Sequence, residues 1–375
     1  MNGNLKVDII TFHFVNNFGG VLQAYALQKT ISECFNAECE VIDYKNWFIS
    51  FTDTVRLFPI TSSLKEIIAG LKTMRLRFER IHMFRDFISG NCRLTKLYRN
   101  YVALKIDPPV ADKYVCGSDQ VWNPMLTMGV SRGYFLRFVA DLNNRIAYAP
   151  SFGTDRIPKI FKTAIKKYLD GMGHLSIRER SGRELIGQLT GKQAEQLIDP
   201  TFLMDKCDWE KLGNNPRCGE EYILLYIMQR DMEVYEYARK IKEQMGIKLI
   251  EISRYGYNPG FVDECLINVG PSEFLGLFRD AKYVCTNSYH GLAFSIIFEK
   301  EFCLIPCKRF RARINNLLKL LHIETADGDD STDRLTATYN KEYVRTTIAG
   351  ERQKAINYLK KSFGLARDET HDKNC

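Results

Sequence analysis

VDIITFHFVNNFGGVLQAYALQKTISECFNAECEVIDY, residues 7–44, passes from strand through a glycine-bearing turn into helix and back to strand. Apart from Asp8, its first six residues are apolar or β-branched, a run too short for a stable helix, which reads as a buried strand. Over 20–34 the apolar positions recur at helical spacing, and a second β-rich run follows over 39–44. Strand, helix and strand in so short a span form a unit that feeds a parallel sheet covered by helices. The alternation continues outward, with strands expected over 114–116, 145–149, 175–178 and 196–198. Residues 205–221, carrying Gly213, Asn214, Asn215, Pro216 and Gly219 without periodicity, read as a linker. Strands resume over 222–228, 247–252, 283–286 and 302–305, with helices near 232–245, 272–280, 291–299 and 311–322. The expected class is α/β, with one unit over 1–204, a linker over 205–221, a second unit over 222–340, and a C-terminal helix and polar tail over 341–375.

The chain has 375 residues, too many for one ordinary core and enough for two. A formal charge of +8 favours anionic partners: phosphorylated metabolites, lipid diphosphates, a membrane surface or nucleic acid. The basic residues are spread along the chain rather than gathered with stacking aromatics, which argues against nucleic acid. Eleven cysteines include no C-x-x-C pair, the nearest spacing being Cys303 with Cys307, so neither a zinc site nor a disulfide framework is indicated. The first apolar run is reached without the basic region and cleavage site of a secretory signal, and no apolar stretch is long enough to span a bilayer. A reducing cytoplasm is the expected compartment.

One segment departs from the alternation. Leu64, Ile67, Ile68, Leu71, Met74, Phe78, Ile81, Phe84 and Ile88 recur at helical spacing, so a basic amphipathic insert is expected within about 60–100. Its polar face carries Lys65, Lys72, Arg75, Arg77, Arg80 and Arg85. Such a face is either a solvated surface or a peripheral contact with an anionic membrane at which lipid-linked glycans are built.

In open α/β sheets ligands sit beyond the carboxyl ends of strands, which singles out four loops. In the first, Asn16, Asn17, Gly19 and Gly20 let backbone approach a ligand closely and open a helix whose free N–H groups receive an anion, or else form a plain tight turn. It is not a G-x-G-x-x-G fingerprint, so a dinucleotide is not indicated. The second holds Gly117, Ser118, Asp119, Gln120 and Trp122, a carboxylate, an amide and a flat indole that suit a sugar; helix capping by Ser118 or Asp119 is the plainer alternative. In the third, Arg178 stands with Glu179 and Ser181 where a strand hands over to a helix, and its guanidinium either grips a carboxylate or phosphate or is tied to Glu179 or Asp199. The fourth is Asn287, Ser288, Tyr289, His290 and Gly291, where an imidazole faces the binding edge at a helix start. His13, His82, His174, His322 and His371 have weaker settings.

Taken together, NNFGGVLQAYALQ, VCGSDQVWNP, RIAYAPSFG, IRERSG, LIDPTFL and TNSYHGLAFSIIFEKEF resemble the polysaccharide pyruvyl transferase family in order and separation, over about residues 8–306. The resemblance implies two Rossmann-like domains facing a cleft, similar to B-type glycosyltransferases. It implies phosphoenolpyruvate as donor and a hydroxyl pair of a glycan as acceptor, in bacterial capsule or exopolysaccharide synthesis, with galactose and a 4,6-ketal as the leading acceptor and N-acetylmannosamine another. An undecaprenyl-diphosphate-linked oligosaccharide is among the acceptor forms. By motif the family's donor-binding arginine falls on Arg178 and its essential histidine on His290. Many relatives carry an acidic residue where this chain has Gly20, and positions ahead of the histidine vary where this one has Tyr289.

The chemistry so implied protonates the donor methylene, adds one sugar hydroxyl, expels phosphate and closes the ketal with a second hydroxyl. His290 is the expected acid or base, Arg178 and the helix starts bind the anion, and Asp119 is the candidate base for the acceptor. No step demands a metal or organic cofactor. Two rival readings are a sugar-nucleotide glycosyltransferase of the same fold and a non-catalytic glycan-binding or assembly subunit.

Overall fold

The computed structural model describes residues 4–45, 73–217, 219–228, 232–253, 256, 258–304, 311–324 and 339–365. Among them the elements run β1 (Lys6–Ile10), α1 (Phe18–Phe35), β2 (Glu38–Val41), α2 (Met74–Asn91), α3 (Tyr101–Ile106), β3 (Lys113–Cys116), β4 (Arg145–Ala147), α4 (Lys159–Asp170), β5 (Ser176–Ile177), α5 (Arg180–Thr190) and β6 (Glu195–Gln196). Then come α6 (Lys206–Leu212), β7 (Tyr222–Tyr226), α7 (Met232–Met245), β8 (Lys248–Ile252), β9 (Glu264–Leu266), α8 (Pro271–Asp280), β10 (Tyr283–Thr286), α9 (Tyr289–Ile297), β11 (Glu301–Leu304), α10 (Arg311–Leu320) and α11 (Lys341–Ser362).

The strands form two main parallel sheets, ordered β2-β1-β3-β4 and β11-β10-β7-β8-β9, with β5 and β6 as a parallel pair beside the first. In the register of the first sheet Ile9 lies opposite both Val41 and Val115. Val7, Ile9 and Ile10 are fully buried, as are all strand residues of β7 to within a few per cent, because helices cover both faces. Strand order reverses between β1 and β3 in one sheet and between β7 and β10 in the other. Those are the switch points where crossovers diverge and leave a crevice at the carboxyl edge. Three of the four singled-out loops follow β1, β3 and β10.

The two halves are bolted together by aromatic packing. Phe18 at the start of α1 stacks on Phe274 of α8 at 4.2 Å and meets Phe84 of α2 and Tyr226 of β7. Helix α11 returns to the first half, with Tyr358 Oη donating to Ala147 O at 2.8 Å and Arg352 Nη2 donating to Met204 O at 3.0 Å.

Two expectations need correction. The segment expected as a linker contains α6, whose Trp209 is fully buried and donates Nε1 to Thr201 O at 3.0 Å; tertiary packing against Tyr25 and Phe294 orders a stretch that has no periodicity of its own. In the amphipathic insert, Lys65 and Lys72 lie outside the described residues; Phe84 and Ile88 of the expected apolar face are buried, but the inward face differs in its first turns. Arg77 is buried, Arg80 lies over the Phe18 ring at 4.8 Å and donates to Ser253 O at 3.4 Å, while Phe78 is exposed. Arg75 and Arg85 stay on the surface. Helix α2 is thus a strut between the halves, its arginine stems covering apolar surface. Among the described residues no helix is long and apolar enough to cross a membrane.

Candidate functional site

Loops from both switch points and from the end of β5 converge on one carboxylate, Asp199. It follows β6 and caps a short 3-10 turn, Pro200–Leu203. Its Oδ1 accepts from Thr201 N at 3.0 Å and Thr201 Oγ1 at 2.9 Å, while its Oδ2 accepts from Arg178 Nη1 at 2.6 Å. Ser118 Oγ lies 3.4 Å from Oδ2, and His290 Nε2 lies 3.8 Å from it. Asp199 is 0% exposed; burial opposes its ionisation, but His290 and Arg178 beside it hold the carboxyl well below the ordinary range.

Arg178 is 3% exposed and donates Nε to Glu179 Oε1 at 2.9 Å. Burial works against its charge, and Glu179 and Asp199 more than restore it, so the guanidinium is held firmly protonated. Its carbon stands 4.6 Å from the ring centre of Tyr289, whose hydroxyl is kept neutral by burial and by Asp199. Two nitrogens of this cluster, Arg178 Nη2 and His290 Nε2, are buried without a hydrogen-bond partner. Native structures keep such groups where something else completes them.

The first loop meets the fourth directly. A Cβ on Gly19 would stand 2.0 Å from His290 Nδ1, so only glycine lets α1 start against the imidazole. A Cβ on Gly20 would lie 3.7 Å from Asp119 Oδ2, which brings the candidate acceptor base to the same junction. Asp119 is 7% exposed and held at φ +68, with its carbonyl bonded by Ser151 N at 2.8 Å. A non-glycine residue in this left-handed conformation is strained and is over-determined by its surroundings. Asn287 joins the two loops of the second switch point by accepting from Met228 N at 2.8 Å. The N-cap of α9, Ser288, makes no side-chain cap bond.

The fold therefore brings Gly19, Ser118, Asp119, Arg178, Glu179, Tyr289 and His290 together. Other expected residues serve the frame. Asn17 caps α1 by accepting from Gly20 N at 3.4 Å, and Asn16 is half-buried beside it. Gly117 and Gly291 allow close packing on Thr11 and Thr286, where Cβ atoms would stand 3.0 Å and 2.1 Å away. Gln120 accepts from Asn123 Nδ2 at 3.0 Å, and Ser181 is half-buried in the first turn of α5. Trp122 is a correction: it is no sugar platform but a core residue, 1% exposed, stacked on Phe135 at 4.8 Å, with Nε1 bonded to Tyr134 O at 3.0 Å. Sequence reading missed Arg313 of α10, which is 7% exposed and lines the same crevice as Arg178, Asp199 and Tyr289. The only available signal was its place in a basic run, KRFRAR, that starts at Lys308.

Residues 17–309 match the family described as polysaccharide pyruvyl transferase. No curated protein matches the chain. Among solved structures, a UDP-N-acetylglucosamine 2-epimerase is similar with a TM-score of 0.50 at 9% identity, covering 98% of each chain. The UDP-GlcNAc 2-epimerase of Neisseria meningitidis, bound to UDP-GlcNAc, gives 0.47 at 9% identity over 95% of this chain and 100% of its own. The calicheamicin glycosyltransferase gives 0.41 at 13% over 97% and 99%. The fold is the two-halved arrangement of B-type glycosyltransferases, and at these identities the likeness extends to fold alone.

Proposed function

The chain belongs to the polysaccharide pyruvyl transferase family, and on that premise we propose that it moves the three-carbon skeleton of phosphoenolpyruvate onto two hydroxyls of one glycan sugar. The observation that supports this most is the pair of buried nitrogens without a hydrogen-bond partner, Arg178 Nη2 and His290 Nε2, in the cluster around Asp199. An anionic donor entering there completes both, and the first turn of α9, whose N-cap Ser288 makes no side-chain cap bond, adds N–H groups for it.

In the proposed reaction His290 delivers a proton to the donor methylene, and the carbon bearing phosphate becomes cationic. A sugar hydroxyl adds to that carbon, and its proton passes to Asp119. Phosphate then leaves with the bridging oxygen and its electron pair, and a second hydroxyl closes the ring and gives up its proton to the phosphate. One donor and one diol thus yield one ketal and one inorganic phosphate. Asp199 holds Arg178 in place and keeps the imidazole beside it oriented. Galactose taking a 4,6-ketal, on a lipid-linked precursor of capsule or exopolysaccharide, is the proposed acceptor.

The test is phosphate release from phosphoenolpyruvate with lipid-linked galactose-containing or N-acetylmannosamine-containing oligosaccharides, with mass spectrometry of the product. Phosphoenolpyruvate is expected to raise the melting temperature where sugar nucleotides do not. A folded protein that is stabilised by a sugar nucleotide and releases no phosphate would refute the reading.

A further inference from the structure

Arg178 brings little spare charge to its site. Glu179 takes its Nε and Asp199 its Nη1, so two carboxylates already match the guanidinium before any ligand arrives. A donor that carries both a carboxylate and a phosphate needs a second cation, and α10 delivers one. The Arg313 guanidinium carbon stands 6.0 Å from the centre of the Tyr289 ring, the same ring that lies 4.6 Å from the Arg178 guanidinium. Tyr289 also meets His290 edge-on at 5.1 Å, so both arginines and the imidazole surround one aromatic side chain at the amino end of α9.

This approach is fixed from both halves. Asn316, one turn along α10, accepts from the backbone N of Arg180 at 3.2 Å and from Gln196 Nε2 at 3.3 Å. The crevice between them is lined by Arg178, Glu179, Asp199, Tyr289, Arg313 and, from α11, Glu351. Burial first and the nearby Arg178 next draw the Arg313 pKa down, with Glu179 and Asp119 acting the other way.

We propose that Arg313 is the second cationic arm of the donor site and holds the donor's phosphate against the amino end of α9, with the Tyr289 ring spacing it from Arg178. This rests on the phosphoenolpyruvate reading above. The experiment compares wild type with R313Q and R313K in steady-state kinetics, in product inhibition by inorganic phosphate, and in calorimetric titration with inorganic phosphate alone. For R313Q the KM for phosphoenolpyruvate and the inhibition constant for phosphate are expected to rise together by about tenfold or more, with kcat changed by less than about threefold. R313K, which keeps charge but loses the planar fork, is expected to fall between, and it carries the same readings if R313Q does not fold. Both constants within about twofold of wild type in a folded variant would overturn the assignment. If wild type does not turn over phosphoenolpyruvate, the donor reading falls by itself. The calorimetric arm still decides Arg313: weaker phosphate binding in the variant supports it, and equal or absent binding to wild type overturns it.

Discussion

Two buried histidine–aspartate pairs lie at carboxyl edges of this molecule, and they are built differently. His13, after β1, is 1% exposed and has both ring nitrogens engaged: Nε2 lies 3.0 Å from Asp43 Oδ1 and Nδ1 3.2 Å from Thr11 O. His290, before β11 in the other half, is 7% exposed, and its Nε2 stands 3.8 Å from Asp199 Oδ2 without a hydrogen-bond partner. Asp43 and Asp199 are both held below the ordinary carboxylate range against the opposing effect of burial, Asp43 by His13 and Lys45, Asp199 by His290 and Arg178. The difference lies in what is left over. The first pair is saturated and acts as a clamp between β1 and the strand beside it; the second spends its carboxylate on Arg178 and leaves nitrogen valence for a ligand.

This contrast can be broken by substitution. His290→Ala is expected to lower kcat by about 10²- to 10⁴-fold while the protein stays folded, measured by phosphate release and thermal unfolding. Near-normal turnover would erase the distinction. A third buried carboxylate sharpens the comparison because the cation near it, Lys6, does not offset its burial. Asp8 of β1 is 4% exposed and its pKa is pushed up to about 7, first by burial and then by Glu40 across the strand pair. The folded state therefore keeps a proton that the unfolded chain loses near 3.8, so stability falls as pH rises from about 4 to 7, and the full cost is present above that window. Asp8→Asn is expected to stabilise the protein at pH 8 by up to about 4 kcal/mol, with the gain vanishing as pH falls below about 4, read from urea unfolding. The smallest effect is expected at the saturated pair: His13→Ala should cost about 1–3 kcal/mol of stability and leave kcat of the folded protein nearly unchanged. A collapse of turnover without loss of stability would make His13 the functional partner instead.

Much of the candidate site was legible because loop position and residue type coincide. Gly19, Arg178 and His290 each follow a strand that an apolar run makes recognisable, and a parallel sheet gathers such ends on one edge. Arg313 was not legible, because it projects from a helix midway along a basic run and nothing local distinguishes an inward arginine from a solvated one. Trp122 misled for a related reason: an indole beside a carboxylate and an amide suits a sugar, yet the chain that follows folds Phe135 onto its face. Arg77 and Arg80 belong to the same class. A helical wheel assigns them to a polar face, but the second half of the molecule offers Ser253 and the Phe18 ring on that side.

By itself the sequence determined the alternation of short apolar runs with helical periods, hence two parallel sheets and the loops at their carboxyl edges, because periodicity is a local property of the chain. Only the tertiary structure decided which charged groups meet. Asp199 gathers Arg178 from 21 positions earlier and His290 from the other sheet, and whether a buried nitrogen is satisfied depends on neighbours brought from distant parts of the chain, which no local pattern records.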